Sequence, residues 1–139
     1  MVHALEEIHR TLIRKGILLD LRPLANRWPV EVVTGSKIHR LGRLTDLPKG
    51  LAYDKAANNA ALESARRGWF AREVEEFFAI YLYWDHPEEM ATHIAERWAD
   101  FVKLEEETLR ATRAIWHTAG SDRLVRIQMK MLLARWRKR

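Results

Sequence analysis

The sequence predicts a single α+β domain, a small and mostly antiparallel sheet with helices packed on it. Three observations carry that expectation. Apolar residues recur at helical spacing in stretches that end at Gly16, Gly68 and Gly120. Between them lie β-branched and aromatic runs that are continuous or alternate with period two. Proline and glycine bound those runs as turns do, and no repeat or low-complexity linker divides the 139 residues.

Residues 2–15 read as a helix, with Leu5, Ile8 and Leu12 on one stripe and Glu6, Glu7, Arg10 and Arg14 off it. Gly16 is expected to end it in the left-handed conformation after a last turn. Ile17-Leu18-Leu19-Asp20-Leu21 is the near-continuous apolar run of a strand buried on both faces. Trp28–Thr34 and Ile38–Leu44 read as hairpin arms joined by Gly35-Ser36-Lys37, and Leu47-Pro48-Lys49-Gly50 closes that unit. Asp54–Arg67 is an alanine-rich helix with a small-residue face at Ala57, Ala60, Ala61 and Ala65. Val74–Trp84 reads as a central strand. Pro87, followed by Glu88 and Glu89, starts a helix whose buried stripe is Met90, Ile94, Trp98 and Phe101. A further helix spans about residues 104–117. For residues 123–134 the alternation of Val125, Ile127, Met129 and Met131 with Arg126, Gln128 and Lys130 favours strand. The alternative is a helix, since Met, Lys, Leu and Arg form helices well.

Composition excludes several classes. Without cysteine there is no disulfide framework and no thiolate metal site. No apolar run approaches the ~20 residues of a membrane span, and the first residues lack signal-peptide order, so a cytoplasmic protein with no membrane association is expected. Apolar residues at 47% and charged residues at 31% suit a globular chain. The net charge of +5 is concentrated: residues 121–139 carry seven basic side chains against Asp122 alone, which leaves residues 1–120 at −1. That localisation argues against a broad nucleic-acid face. Residues 134–139 read as a solvated basic tail. The alternative is that Arg135, Arg137, Lys138 and Arg139 contact an anion or an acidic partner.

Leu5, Glu7, Ile8, Arg10, Leu12, Gly16, Leu18 and Leu19 follow a stretch of the class I S-adenosylmethionine-dependent methyltransferases, which this segment resembles. There a helix of the form L-x-E-I-x-R-v-L-k-P-G-G feeds the fifth strand of a Rossmann-like sheet. The departure is at the turn, Arg14-Lys15-Gly16 in place of Pro-Gly-Gly. The resemblance implies the C-terminal half of that fold, with Val74–Trp84 as the penultimate strand and Val125–Leu133 as the last. The helices of residues 87–117 are inserted between them, and the hairpin of residues 30–44 is an addition. The family holds its cofactor by a Gly-rich loop after the first strand and an acid after the second, both upstream of the matching stretch. Gly35, Gly42 and Gly50 are isolated and form no G-x-G. The resemblance therefore implies a methyltransferase-like chain that binds S-adenosylmethionine only with a partner. A homodimer is also expected, because the strand at Ile17–Leu21 would lose its inner neighbour, unless the hairpin folds back to shield it.

Other residues invite chemistry, each beside a plainer reading. His3, Glu6 and His9 could share a metal, but three ligands on one short helix diverge, and surface side chains are the simpler account. Asp85-His86 could be an acid–base pair, or a helix cap completed by Glu89. Tyr81, Tyr83 and Trp84 could line an aromatic pocket, or fill a core with Trp69, Trp98 and Trp116. Asn58-Asn59, poor helix formers in mid-helix, suit polar contacts or an exposed surface. Three functions follow. The chain could be a methyltransferase-like interaction or assembly module, or a subunit of a split methyltransferase. It could instead be a small-ligand or nucleic-acid-binding protein.

Overall fold

The alternating runs do pair in antiparallel fashion. The computed structural model describes residues 1–139 and contains four α-helices and a mostly antiparallel five-stranded sheet. In chain order the elements are α1 (Val2–Thr11), β1 (Ile17–Pro23), β2 (Pro29–Thr34), β3 (Lys37–Arg43) and β4 (Thr45–Asp46). They continue with α2 (Pro48–Arg66), β5 (Phe70–Trp84), α3 (Pro87–His93) and a π-helical segment at Ile94–Trp98. Last come β6 (Val102–Lys103), α4 (Glu106–Thr118) and β7 (Leu124–Lys138). The strand order is β1-β7-β2-β3, with β5 also on β7, while β4 and β6 form a separate pair. No helix is long and apolar enough to cross a membrane. The chain divides into two compact units, and β5 and β7 contribute residues to both.

The first unit holds Met1–Leu24, Ala52–Phe78 and Met131–Arg139. Its core is Phe70, Leu132, Ala134 and Trp136, against which Ile8, Leu12, Leu18, Ala61, Ala65 and Trp69 pack. β1 and β7 run antiparallel, with Leu18 opposite Trp136 and Leu21 opposite Leu133. α1 stops four residues earlier than its periodicity suggests, because Leu12 turns to an extended conformation. The left-handed residue is Lys15, at φ 63°, rather than Gly16. Gly16 is needed for space instead, since a Cβ there would lie 2.8 Å from the Ile13 carbonyl oxygen. α2 begins at Pro48, inside the stretch read as a closing loop, and buries Ala60 and Ser64.

The basic tail is the largest correction. β7 continues to Lys138, and Trp136 is only 6% exposed. Arg135 and Arg137 both pair with Glu73, and Arg137 also donates to the Lys15 carbonyl at 3.0 Å. Lys138 Nζ donates to the carbonyls of His9 and Leu12 at the end of α1, where a cation complements the helix dipole. The Arg139 N–H bonds the Trp69 carbonyl at 3.1 Å. High charge suggests a solvated segment, but alternate residues carry it: Leu132, Ala134 and Trp136 face the core, while Arg135 and Arg137 take alternate positions.

The second unit holds Ala25–Leu51 and Ala79–Lys130. The β2–β3 hairpin forms around Gly35-Ser36, with an irregularity between Val30 and Glu31, and β2 also pairs with β7 through Val30 opposite Ile127. α4 packs on β2 and β3, and α3 on α4. Gly42 permits this, since a Cβ there would come within 2.6 Å of Thr108 Oγ1. Val30, Val32, Val125 and Ile127 are buried, as strand alternation requires, and Met90 and Ile94 are buried at helical spacing. The expected stripe fails at its end. After Ile94 the helix widens to π geometry, and Phe101 lies beyond it and is exposed. β5 is not central either: it pairs with β7 alone, and Phe77, Phe78, Ile80, Tyr81 and Tyr83 are exposed. Aromatic β-formers, which suit a buried strand, here occupy an edge.

Candidate functional site

The side-chain arrangement that most calls for an explanation lies along β1 in the first unit. β1 has one strand neighbour, β7, so its other edge presents backbone donors and acceptors with no strand to receive them. Its side chains alternate, and on one face Ile17, Leu19 and Leu21 are 46%, 61% and 59% exposed. A strand buried on both faces, as the apolar run suggests, would show none of this. Beside the same strand a cavity of about 200 Å³ is walled by Ala4, Leu5, Leu18, Ala57, Ala60 and Trp136. The alanines of α2 therefore leave room where larger side chains would have closed the groove. An open edge with apolar surface beside it is the geometry that accepts an added strand.

A second feature of this unit is polar. Arg22 is largely buried, and its Nε donates to both carboxylate oxygens of Asp20 at 3.2 Å. Its Nη2 donates to Asn58 Oδ1 at 2.5 Å, which gives the mid-helix asparagine a purpose. Nη1 lies 3.7 Å from Asp54 without a hydrogen bond. Asp20, Arg22 and Asn58 border a cavity of about 330 Å³ that Arg72, Glu75 and Phe77 also line. Arg22 was not legible as a site residue, since one arginine before a proline carries no spacing signal.

The other sequence candidates separate. Tyr81 and Tyr83 come together around Arg126, whose guanidinium lies 4.4 Å from the Tyr81 ring centre and whose Nη1 reaches the Tyr83 hydroxyl at 3.5 Å. Trp84 belongs to a different group, with His93 at 5.4 Å and Trp98 at 6.3 Å between ring centres. The proposed Tyr81–Tyr83–Trp84 trio is thus split by strand alternation. Arg126 Nε also donates at 2.6 Å to Glu31, a fully buried carboxylate that accepts from Arg40 at 3.2 Å as well. Glu31 stands among Val30, Val32 and Val33, and an acid inside a β-branched run was the available signal.

Asp85 and His86 do not form an acid–base pair, nor does either cap α3 through its side chain. His86 occupies the N-cap position but lies against Trp116 at 4.0 Å, and the Asp85 carbonyl accepts the Trp116 indole N–H at 3.1 Å. Glu88 is taken by Arg113 at 2.7 and 2.9 Å. His9 is drawn away from His3 and Glu6 by stacking on Trp69 and meeting Phe70 edge-on. Of the four C-terminal anion candidates, Arg135, Arg137 and Lys138 use their side chains on internal partners, and Arg139 is tied through its backbone N–H. The Arg137 hydrogen bond, with Arg135 adding charge, holds the Glu73 carboxyl below its usual range.

Fold and edge together define an α+β protein built on a mostly antiparallel five-stranded sheet. No family model, curated protein or solved structure matches the chain.

Proposed function

We propose that this chain is an interaction module that homodimerises by adding the β1 strand of a second copy to its own β1. The observation that carries the reading is the row Ile17, Leu19 and Leu21, exposed beside an edge with only one neighbour. Because the exposed residues alternate, antiparallel pairing about a two-fold axis sets this apolar row against its own copy. With Leu19 opposite Leu19 of the partner strand, Ile17 meets Leu21 at both ends. The same edge suits the resemblance to the C-terminal half of a methyltransferase sheet. α1 leads into β1, and β5 and β7 follow as two long strands, with β7 between β1 and β5. On this reading the module is cytoplasmic, and S-adenosylmethionine binding requires a partner.

The test is sedimentation equilibrium of the wild type and of Leu19→Lys across micromolar concentrations. Leu19 is exposed within one chain, so the lysine leaves the fold intact while placing a charge where the partner strand must lie. The expected result is a wild-type mass of twice 16.4 kDa and a folded monomer for the variant. A wild type that stays at 16.4 kDa overturns the proposal.

A further inference from the structure

The second unit carries another open surface, with different chemistry. β5, β7, β2 and β3 adjoin in that order, and α4 covers the side of β2 and β3 that buries Val30 and Val32. Tyr81, Tyr83, Arg126, Glu31 and Arg40 are joined by direct contacts across the strands. Strand alternation sets Glu31 and Arg126 opposite to the buried Val30, Val32, Val125 and Ile127. Both tyrosines are exposed, and Arg40 is more exposed still.

Charge is segregated in the same sense. The open face of β2, β3 and residues 124–130 carries Arg40, Arg126 and, by alternation, Lys130 against one acid, Glu31. Residues 87–118, the helical side, hold seven acidic side chains against four basic ones. A polyanion is thus drawn to the sheet and repelled by the helices.

We infer that this face binds single-stranded nucleic acid, with bases stacking on Tyr81 and Tyr83 and phosphates held by Arg40. Two residues along one strand face are about 6.6 Å apart, a spacing within reach of successive splayed nucleotides. Tyrosine rings on a four-stranded antiparallel sheet, with helices on the other side, offer a platform that any base can use. Arg126, largely buried beside both rings, braces them from within the sheet. Arg40 meets Glu31 through Nε, which leaves its two Nη groups to hold a phosphate in bidentate fashion. A duplex fits poorly, since its bases are already stacked and cannot lie on the rings. An acidic protein would use the charge and leave the exposed rings without a role.

The experiment is fluorescence anisotropy with a labelled single-stranded RNA dodecamer of mixed sequence, its duplex, and poly-glutamate as competitor. The single strand is expected to bind saturably and better than the duplex. Tyr81→Ala/Tyr83→Ala should weaken it at least about tenfold, in keeping with stacking losses at exposed rings. Arg40→Ala should lower the slope of log affinity against log salt by about 0.7, the loss of one phosphate contact on a single strand. Arg135→Ala/Arg137→Ala, far from this face in sequence and held on Glu73, should bind as wild type. Circular dichroism of each variant verifies folding. The inference is overturned if no saturable binding appears, if the tyrosine variant binds like wild type, or if duplex or poly-glutamate binds equally well.

Discussion

Replacing Trp136 with alanine tests the structural role of the C-terminal segment most directly. Trp136 is 6% exposed and packs with Phe70, Leu132 and Ala134 in the first unit's core, opposite Leu18 in the β1–β7 ladder. Truncating a buried tryptophan to alanine costs about 3–5 kcal/mol from lost burial plus the cavity left behind. Domains of this size are stable by only about 5–15 kcal/mol, so the loss is a large fraction of the total. At a few degrees per kcal/mol the melting temperature should fall by roughly 10–20 °C. Arg135→Ala/Arg137→Ala removes charge from the same strand and leaves its buried row intact, so its fall should be clearly smaller. Thermal unfolding followed by circular dichroism, with urea titration for the free-energy difference, measures both. If Trp136→Ala melts within about 3 °C of wild type, less than one kcal/mol on that scale, the segment is a dispensable tail and the core assignment is wrong.

Two further outcomes are expected. The Glu63 carboxyl should titrate near 2, because hydrogen bonds from Arg66 and then Arg67 stabilise its charged form against an ordinary value of 4.5; its contribution to stability is then fully present above about pH 4.5 and lost as pH falls through 2, and a carbon-13 carboxyl titration with a midpoint near 4.5 would remove those contacts. Calorimetry with S-adenosylmethionine should detect no saturable binding to this chain alone up to roughly 100 μM, and a micromolar isotherm would revive a methyl-transfer reading.

The elements whose pattern had one dominant period were legible, and those carrying two messages were not. The alternation of Val125 to Met131 identified β7 correctly as a strand although its residues also form helices well. Its continuation was missed because the buried phase shifts: Met131 and Leu132 are both buried, and Leu132, Ala134 and Trp136 then occupy the core positions. A period-two reading started at Val125 assigns those residues to solvent. β5 failed for the opposite reason, since aromatic and β-branched content reports strand propensity and not the number of neighbours. The open edge of β1 was anticipated only through a family resemblance, because an apolar run looks the same whether a neighbour covers it or not. Contacts distant in sequence, such as Arg22 with Asn58 and Arg126 with Glu31, leave no periodic trace at all.

Glu31 has the least expected placement of any side chain, and its energetics bear on what the open face is for. Moving a carboxylate out of water costs several kcal/mol even after relaxation, and a buried ion pair often recovers little more than that. Arg126 is itself mostly buried, while Arg40 is more than half exposed, so only one partner adds a substantial second desolvation cost. An apolar residue at position 31 would sit beside Val30, Val32 and Val33 without this cost, and stability alone therefore gives no reason for an acid there. What the carboxylate does accomplish is geometric. It takes Nε from both arginines, which fixes each guanidinium by its edge and holds Arg126 beside Tyr81 and Tyr83. Long cationic side chains on an exposed sheet otherwise sample many rotamers and lose that entropy on meeting a ligand. A buried anion that holds one buried and one exposed arginine removes part of that loss in advance, so the face is already ordered before anything binds to it.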